Sequence, residues 1–264
     1  MYPKNETDQS YEYLQKVVGF LDEPICILGG WAVYLTLNKK YNAQFQKDYL
    51  GSRDVDLGFH LDKKATSFKN SAFTKAIQKL EAEGFTERGG RLVKELDLQT
   101  GKELTPKQAS KMPSYEINLM FVDLLTDHIP KGLKEETKMD ILDEPLLAEV
   151  FNKKENREEL IEFGRKLWLP QPWILLSTKI KALPRRTKNH KREKDIADIA
   201  GLLLLTNYKE YTQKVKKLLP QNEILKALNS ITPQEITKTE NLLGFQPNAF
   251  KATITNFIQE ISTA

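Results

Sequence analysis

The sequence predicts an α/β (α+β) fold: a mixed sheet flanked by helices, followed by a helical C-terminal domain. Three observations predict it. Residues 54–61 and 115–125 alternate in side-chain character, as strands with one buried face do. A short apolar run at 24–28 ends in Gly29-Gly30, the form of a strand turning into a helix. Beyond Pro170 and Pro172 the pattern is helical to the end, which divides the chain at 1–169 and 170–264.

With 264 residues, 40% hydrophobic and 29% charged, the chain can bury a substantial core. Net charge is +4, from 40 basic and 36 acidic side chains, so any basic surface must be local. Cys26 is the sole cysteine. It excludes an internal disulfide and, within an apolar run, reads as a buried inert thiol. Residues 1–10 are polar, without the apolar core of a signal peptide. The longest apolar stretches, 25–37 and 199–205, are too short to span a bilayer. The expectation is a cytoplasmic protein with no membrane partner.

In order, 11–21 reads as a helix with Tyr11, Leu14, Val17 and Val18 on one stripe. Residues 24–28 form a buried strand, 31–37 a helix and 39–50 a polar connector. The strand at 54–61 places Asp54 and Asp56 on one face and Val55, Leu57, Phe59 and Leu61 on the other. Residues 63–84 carry Phe68, Phe73, Ile77 and Leu80 at helical spacing before Gly84. Residues 85–98 read as one or two strands around Gly89-Gly90, 99–113 as loop, 115–125 as the second strong strand, and 127–138 as polar connection. Residues 141–150 fit helix or strand, and 157–168 fit a helix or a hairpin running into a strand at 167–169. Residues 173–183 form a helix ended by Pro184. A basic stretch, 185–194, precedes a helix at 195–205, and 208–264 is all helical, with a capping box at Thr232-Pro233-Gln234-Glu235.

The chemistry centres on Asp54 and Asp56. Two carboxylates on one strand face repel unless solvated or neutralised, and a divalent cation neutralises them well. Two-metal chemistry needs a further carboxylate on a neighbouring strand. Asp123 is the first candidate, and Glu116 and Asn118, of the opposite parity, are the alternatives. Gly29, Gly30 and Ser52 offer backbone amides and a hydroxyl to phosphate oxygens, although a Gly-Gly pair also marks a plain tight turn. Lys179 lies among Leu176, Ile180 and Leu183, where a lysine either snorkels or neutralises phosphate. Asp195 and Asp198 share a helix face, and carboxylates there also suit a helix N-terminus. The basic run from Lys179 to Lys194 reads as a solvated loop or as a contact for a triphosphate or RNA backbone. His60, His128 and His190 show no zinc-ligand spacing.

Gly29-Gly30 after an apolar strand, followed by Ser52-x-Asp54-x-Asp56, resembles the signature of the DNA polymerase β-type nucleotidyltransferase superfamily. Residues 175–183, then Arg185-Arg186, then Lys194-Asp195-Ile196-Ala197-Asp198, resemble the AbiEii-type abortive-infection branch. The resemblance covers roughly residues 20–205. It implies a nucleotidyltransferase-type fold, a nucleoside triphosphate donor and magnesium or manganese as cofactor. It also implies Asp54 and Asp56 as metal ligands, Ser52 on the phosphates, Lys179 holding the triphosphate and Asp195 completing the catalytic set. Acceptors consistent with it are tRNA or another RNA, as for toxins that pair with a cognate antitoxin, or a small molecule such as an antibiotic hydroxyl. A catalytically silent nucleotide- or protein-binding member of the fold is the third reading.

Overall fold

The computed structural model describes residues 2–263. The chain forms two compact units. One joins Tyr2–Trp31 to Gly51–Pro170; the other joins Ala32–Leu50 to the chain from Gln171 onward.

The first unit carries a mixed sheet. Its strands are β1 (Ile25–Ile27), β2 (Asp54–Phe59), β3 (Thr86–Arg88), β4 (Arg91–Asp97), β5 (Ile117–Thr126), β6 (Leu142–Asp143), β7 (Arg157–Glu162) and β8 (Arg165–Pro170). They lie in the order β3-β4-β5-β2-β1-β8-β7, with β6 beside the end of β5. The pairs β2–β5, β1–β8 and β5–β6 are parallel, and the rest are antiparallel. The alternation seen in the sequence sets the faces. Val55 and Leu57 of β2 are buried, as are Asn118, Met120, Val122 and Leu124 of β5, while the acidic positions point the other way. Cys26 is fully buried, and burial pushes its thiol up to about 12.

Helix α1 (Lys4–Phe20) begins seven residues earlier than the apolar stripe predicts. Its first turns are anchored by polar contacts a hydrophobic pattern cannot show: Ser10 Oγ accepts from Trp31 Nε1 at 3.0 Å, and Gln9 Oε1 accepts from Asn118 Nδ2 at 2.6 Å. Helix α2 (Gly29–Phe45) starts in this unit and absorbs half of the expected connector. Leu37, Tyr41 and Phe45 recur every four residues, and the rings of Tyr41 and Phe45 pack 4.7 Å apart. The helix expected over 63–84 is reduced to α3 (Ala72–Ala82). Ser71 caps it, accepting from Thr74 N at 3.1 Å, and Phe68 enters the core from irregular chain. Short helices α4 (Pro106–Ala109), α5 (Leu133–Thr137) and α6 (Leu147–Asn152) interrupt segments read as loop, connector or undecided. Residues 157–168 form the β7–β8 hairpin, closed by Phe163 and Gly164 at φ 53° and 69°.

The second unit contains the rest of α2 with α7 (Pro172–Ala182), α8 (Asn189–Leu205), α9 (Thr212–Leu218), α10 (Gln221–Asn229), α11 (Pro233–Leu243) and α12 (Ala249–Ser262). Helix α8 is its centre and is buried on all sides from Lys194 to Leu203. Gly201 permits this: a Cβ there would lie 2.6 Å from Tyr49 Oη and 2.9 Å from Leu37 Cδ1. The capping box is present, with Glu235 N donating to Thr232 Oγ1 and Thr232 N donating to Glu235 Oε2. Helix α8 begins at Asn189, so Asp195 and Asp198 sit inside the helix rather than at its N-terminus. The expected helical tail runs to Ser262; Met1 and Ala264 lie outside the described residues. Among the described residues no helix is long and apolar enough to cross a membrane.

Candidate functional site

The parallel register of β2 and β5 brings the first acidic set together. Asp54 lies opposite Phe121 and Asp56 opposite Asp123. In-register residues of neighbouring strands share a face, so Asp54, Asp56 and Asp123 project to the same side of the sheet. Glu116 stands in a single 3₁₀ turn before β5, out of this row, and Asn118 faces the core, where it meets Gln9.

Gly29 opens α2 at φ 60°, and a Cβ there would fall 1.8 Å from Asp56 Oδ2. Only glycine lets the backbone come this close to the carboxylate. The position is also the N-terminal end of a 17-residue helix, where negative charge is favoured. Gly30 and Ser52 are both buried, Gly30 in the first turn of α2 and Ser52 two residues before β2.

A residue the sequence did not single out joins this set. Leu92 of β4 pairs with Val122 of β5, so Arg91, one residue earlier, reaches Asp123. Its Nε donates to Asp123 Oδ1 at 2.5 Å and its Nη2 to Asp123 Oδ2 at 2.8 Å, a two-pronged bond; Nη2 also lies 3.1 Å from Asp54 Oδ2. The guanidinium stacks on Phe121, 3.9 Å from the ring centroid. These side chains keep partial access to solvent, 24% for Arg91 and 13% for Asp54 and Asp123. The available signal was the Gly89-Gly90 turn: with the β3–β4 hairpin set by it, Arg91 falls at the start of the strand beside β5.

Three carboxylates are hard oxygen donors of the kind magnesium and manganese take. The guanidinium already held by two of them shows that the face accepts a cation. As they stand, no three His, Cys, Asp or Glu side chains among the described residues are arranged as a ready metal cage. Arg91 supplies a reason, because both oxygens of Asp123 are turned to it.

The second unit brings Lys179 and Asp195 together in a different way. Lys179 Nζ lies 2.8 Å from both Asp195 Oδ1 and Asp198 Oδ2. Lys194 Nζ contacts Asp198 Oδ1 at 2.5 Å, Arg186 Nε contacts Asp195 Oδ2 at 2.5 Å, and Tyr49 Oη donates to the Ala197 carbonyl at 2.9 Å. Burial opposes the charge on Lys179, but Asp195 and Asp198 outweigh it and hold the ammonium above its ordinary range. Burial likewise works against the Asp195 carboxylate; Lys179 and Arg186 outweigh it and hold that group below the usual range. Lys194 is lowered because burial outweighs the attraction of Asp198, with repulsion from Lys179 adding to the effect of burial.

This network divides the basic run. Lys179 and Lys194 are buried in it, and Arg192 pairs with Glu235 at 2.6 Å, while Arg185 and Lys188 remain exposed. The run is therefore not one solvated face. In the first unit, His60 and His128, far apart in sequence, both bond the buried Asp127, at 2.6 and 2.9 Å through their Nδ1 atoms. The residues after β2 and β5 meet there because those strands run parallel.

The chain is similar in structure to an antigenic nucleotidyltransferase-like protein from Paracoccidioides brasiliensis, at 17% identity over 92% of this chain and 97% of that one, with a TM-score of 0.44. A likeness this distant assigns no residue a role. No family model matches the chain, and no curated protein matches it.

Proposed function

We propose that the chain is a metal-dependent nucleotidyltransferase that moves a nucleoside monophosphate from a nucleoside triphosphate to an acceptor. The observation that carries this reading is the convergence of Asp54, Asp56 and Asp123 on one sheet face, with Gly29 against Asp56. Asp54, Asp56 and Asp123 are the residues that would hold magnesium or manganese. Bound there, the cation would supply Lewis-acid stabilisation of charge on the transferring phosphoryl group. The chain's own part is positional. The strands fix the carboxylates, and the Gly29-Gly30 turn would offer backbone amides to phosphate oxygens. Asp123 would bind the ion that activates the acceptor and, once released by Arg91, help to remove the acceptor's proton. Lys179 and Asp195, which the resemblance puts on the triphosphate and in the catalytic set, are proposed instead to fix α7 against α8, because both are buried and paired with each other.

The resemblance to the AbiEii-type branch puts tRNA first among acceptors, in a cytoplasmic toxin with a cognate antitoxin; a small-molecule hydroxyl comes second. A specific observation favours a different class. Arg91 neutralises Asp123 and contacts Asp54, as expected of a member that binds without catalysing. One experiment separates these readings. The protein is incubated with magnesium, each α-labelled triphosphate and either total tRNA or a panel of small-molecule hydroxyl acceptors, beside Asp56→Asn. Label on RNA that Asp56→Asn abolishes, with its circular dichroism unchanged, supports the enzyme. Label transfer retained in Asp56→Asn refutes the assignment, and no transfer to any acceptor favours the silent reading.

A further inference from the structure

Arg91 makes metal binding at the sheet an exchange. Both prongs of its guanidinium lie on Asp123, a third contact reaches Asp54, and Phe121 supports its flat face. Phe121 is the register partner of Asp54, so one strand pair carries both the carboxylates and the platform that orients their arginine. Lysine could not copy this, having neither the planar fork nor the stacking surface. A carboxylate that gives both oxygens to a guanidinium holds a dication less tightly, because the two positive charges repel at close range.

We propose that Arg91 is an internal counter-ion that competes with the metal: Asp54 and Asp123 are kept paired by the chain's own guanidinium, and a divalent cation binds by displacing it. This rests on the metal-site reading above. It follows that a free cation binds weakly. A cation arriving with a triphosphate binds better, because the phosphates give the released guanidinium a new anionic partner. Metal and nucleotide are then coupled through one side chain, and each raises the affinity for the other by the same factor. The backbone need not move, since β4 stays in its ladder with β5 from Leu92 onward while the Arg91 side chain swings.

The test is manganese binding to the full chain, followed by electron paramagnetic resonance without any turnover. The proteins are wild type, Arg91→Gln, Arg91→Lys and Arg88→Gln. Arg88 is exposed, lies directly across the β3–β4 hairpin from Arg91 and pairs with Glu95, so its replacement removes the same charge without touching the carboxylates. Arg91→Gln is expected to bind free manganese roughly tenfold more tightly or better, the worth of a charged hydrogen bond. Arg91→Lys should fall between, and Arg88→Gln should match wild type. A non-hydrolysable triphosphate should raise manganese affinity more in wild type than in Arg91→Gln. If wild type binds manganese and Arg91→Gln binds it equally or less tightly, the exchange is overturned and the carboxylate reading stands. If neither binds with or without nucleotide, both fall. Should Arg91→Gln lose its folded circular dichroism, the comparison of Arg91→Lys with wild type decides in the same way.

Discussion

The aspartates that meet Arg91 on the sheet and those that meet Lys179 in the helical unit are built for different purposes. On the sheet, Asp54 and Asp123 meet Arg91 at a face that water still reaches. Within the helical unit, Asp195 and Asp198 meet Lys179, Lys194 and Arg186, and the two carboxylates are almost wholly sealed. The chemistry of the groups is the same; the solvent around them is not. A sealed pair that loses one member leaves a buried charge, whereas a half-open one can exchange its partner for an ion from solution. The sheet cluster therefore suits ligand exchange, and the helical cluster suits holding α7 to α8.

The largest expected effect breaks the sealed cluster. Asp198→Ala takes a partner from both Lys179 and Lys194 and should cost about 3–5 kcal/mol of folding stability, the penalty for stranding buried charge. Asp54→Asn on the sheet leaves Arg91 its two bonds to Asp123 and should cost about 1 kcal/mol or less. Urea denaturation of both variants compares them directly. Equal losses would erase the distinction drawn between the clusters.

Acid probes the same contrast without mutation. Asp195 is held below the usual carboxylate range by Lys179 and Arg186 against the cost of burial. Between its folded value and the ordinary aspartate value of about 4, the unfolded chain binds more protons than the folded one, so stability rises with pH there. Its contribution is complete above pH ~4 and is lost as pH falls through the folded value. Denaturation midpoints of the wild type should fall steeply in that acid window. An Asp195→Asn variant, already destabilised, should show a shallower fall.

How far each cluster was legible in the sequence follows from what sets it. Asp54, Asp56 and Asp123 could be placed because a half-buried strand prints its period directly, and in-register strands then share a face. Arg91 could not, since its meeting with Asp123 depends on the register of β4 against β5. The same holds for His60 and His128, which meet at Asp127 through the parallel run of β2 and β5. The Lys179, Asp195 and Asp198 motif was visible as a resemblance. Its burial was not, because α8 is covered on every side only once its neighbours are in place. Asp195 looked like a helix N-terminus because the basic residues before it, 189–194, read as loop.

On the sheet side, Gly29→Ala should cost at least about 1–2 kcal/mol from the left-handed backbone alone. Its Cβ would also press on Asp56 Oδ2 and move that carboxylate. Manganese affinity should fall together with stability. Gly201→Ala, the matching change in the helical unit, crowds Tyr49 and Leu37 and should cost about 1–3 kcal/mol with manganese binding unchanged. Loss of manganese affinity in both variants, or in neither, would mean that Gly29 has only a packing role.

The smallest effects calibrate the two units against each other. Ser71 caps α3 in the first, and Thr232 caps α11 in the second. Each cap satisfies an amide that the helix itself cannot, and replacement by alanine typically costs about 1 kcal/mol. Thr232 should lie toward the higher end. Its removal leaves Glu235 as the sole half of a reciprocal pair, and the same carboxylate also holds Arg192 at 2.6 Å. Ser71 donates instead to the hydroxyl of Thr74, a neutral contact with no ion pair behind it. Denaturation of Ser71→Ala and Thr232→Ala under one set of conditions should rank them in that order. The reverse ranking would mean that the Arg192–Glu235 pair fixes the start of α11 without help from its cap.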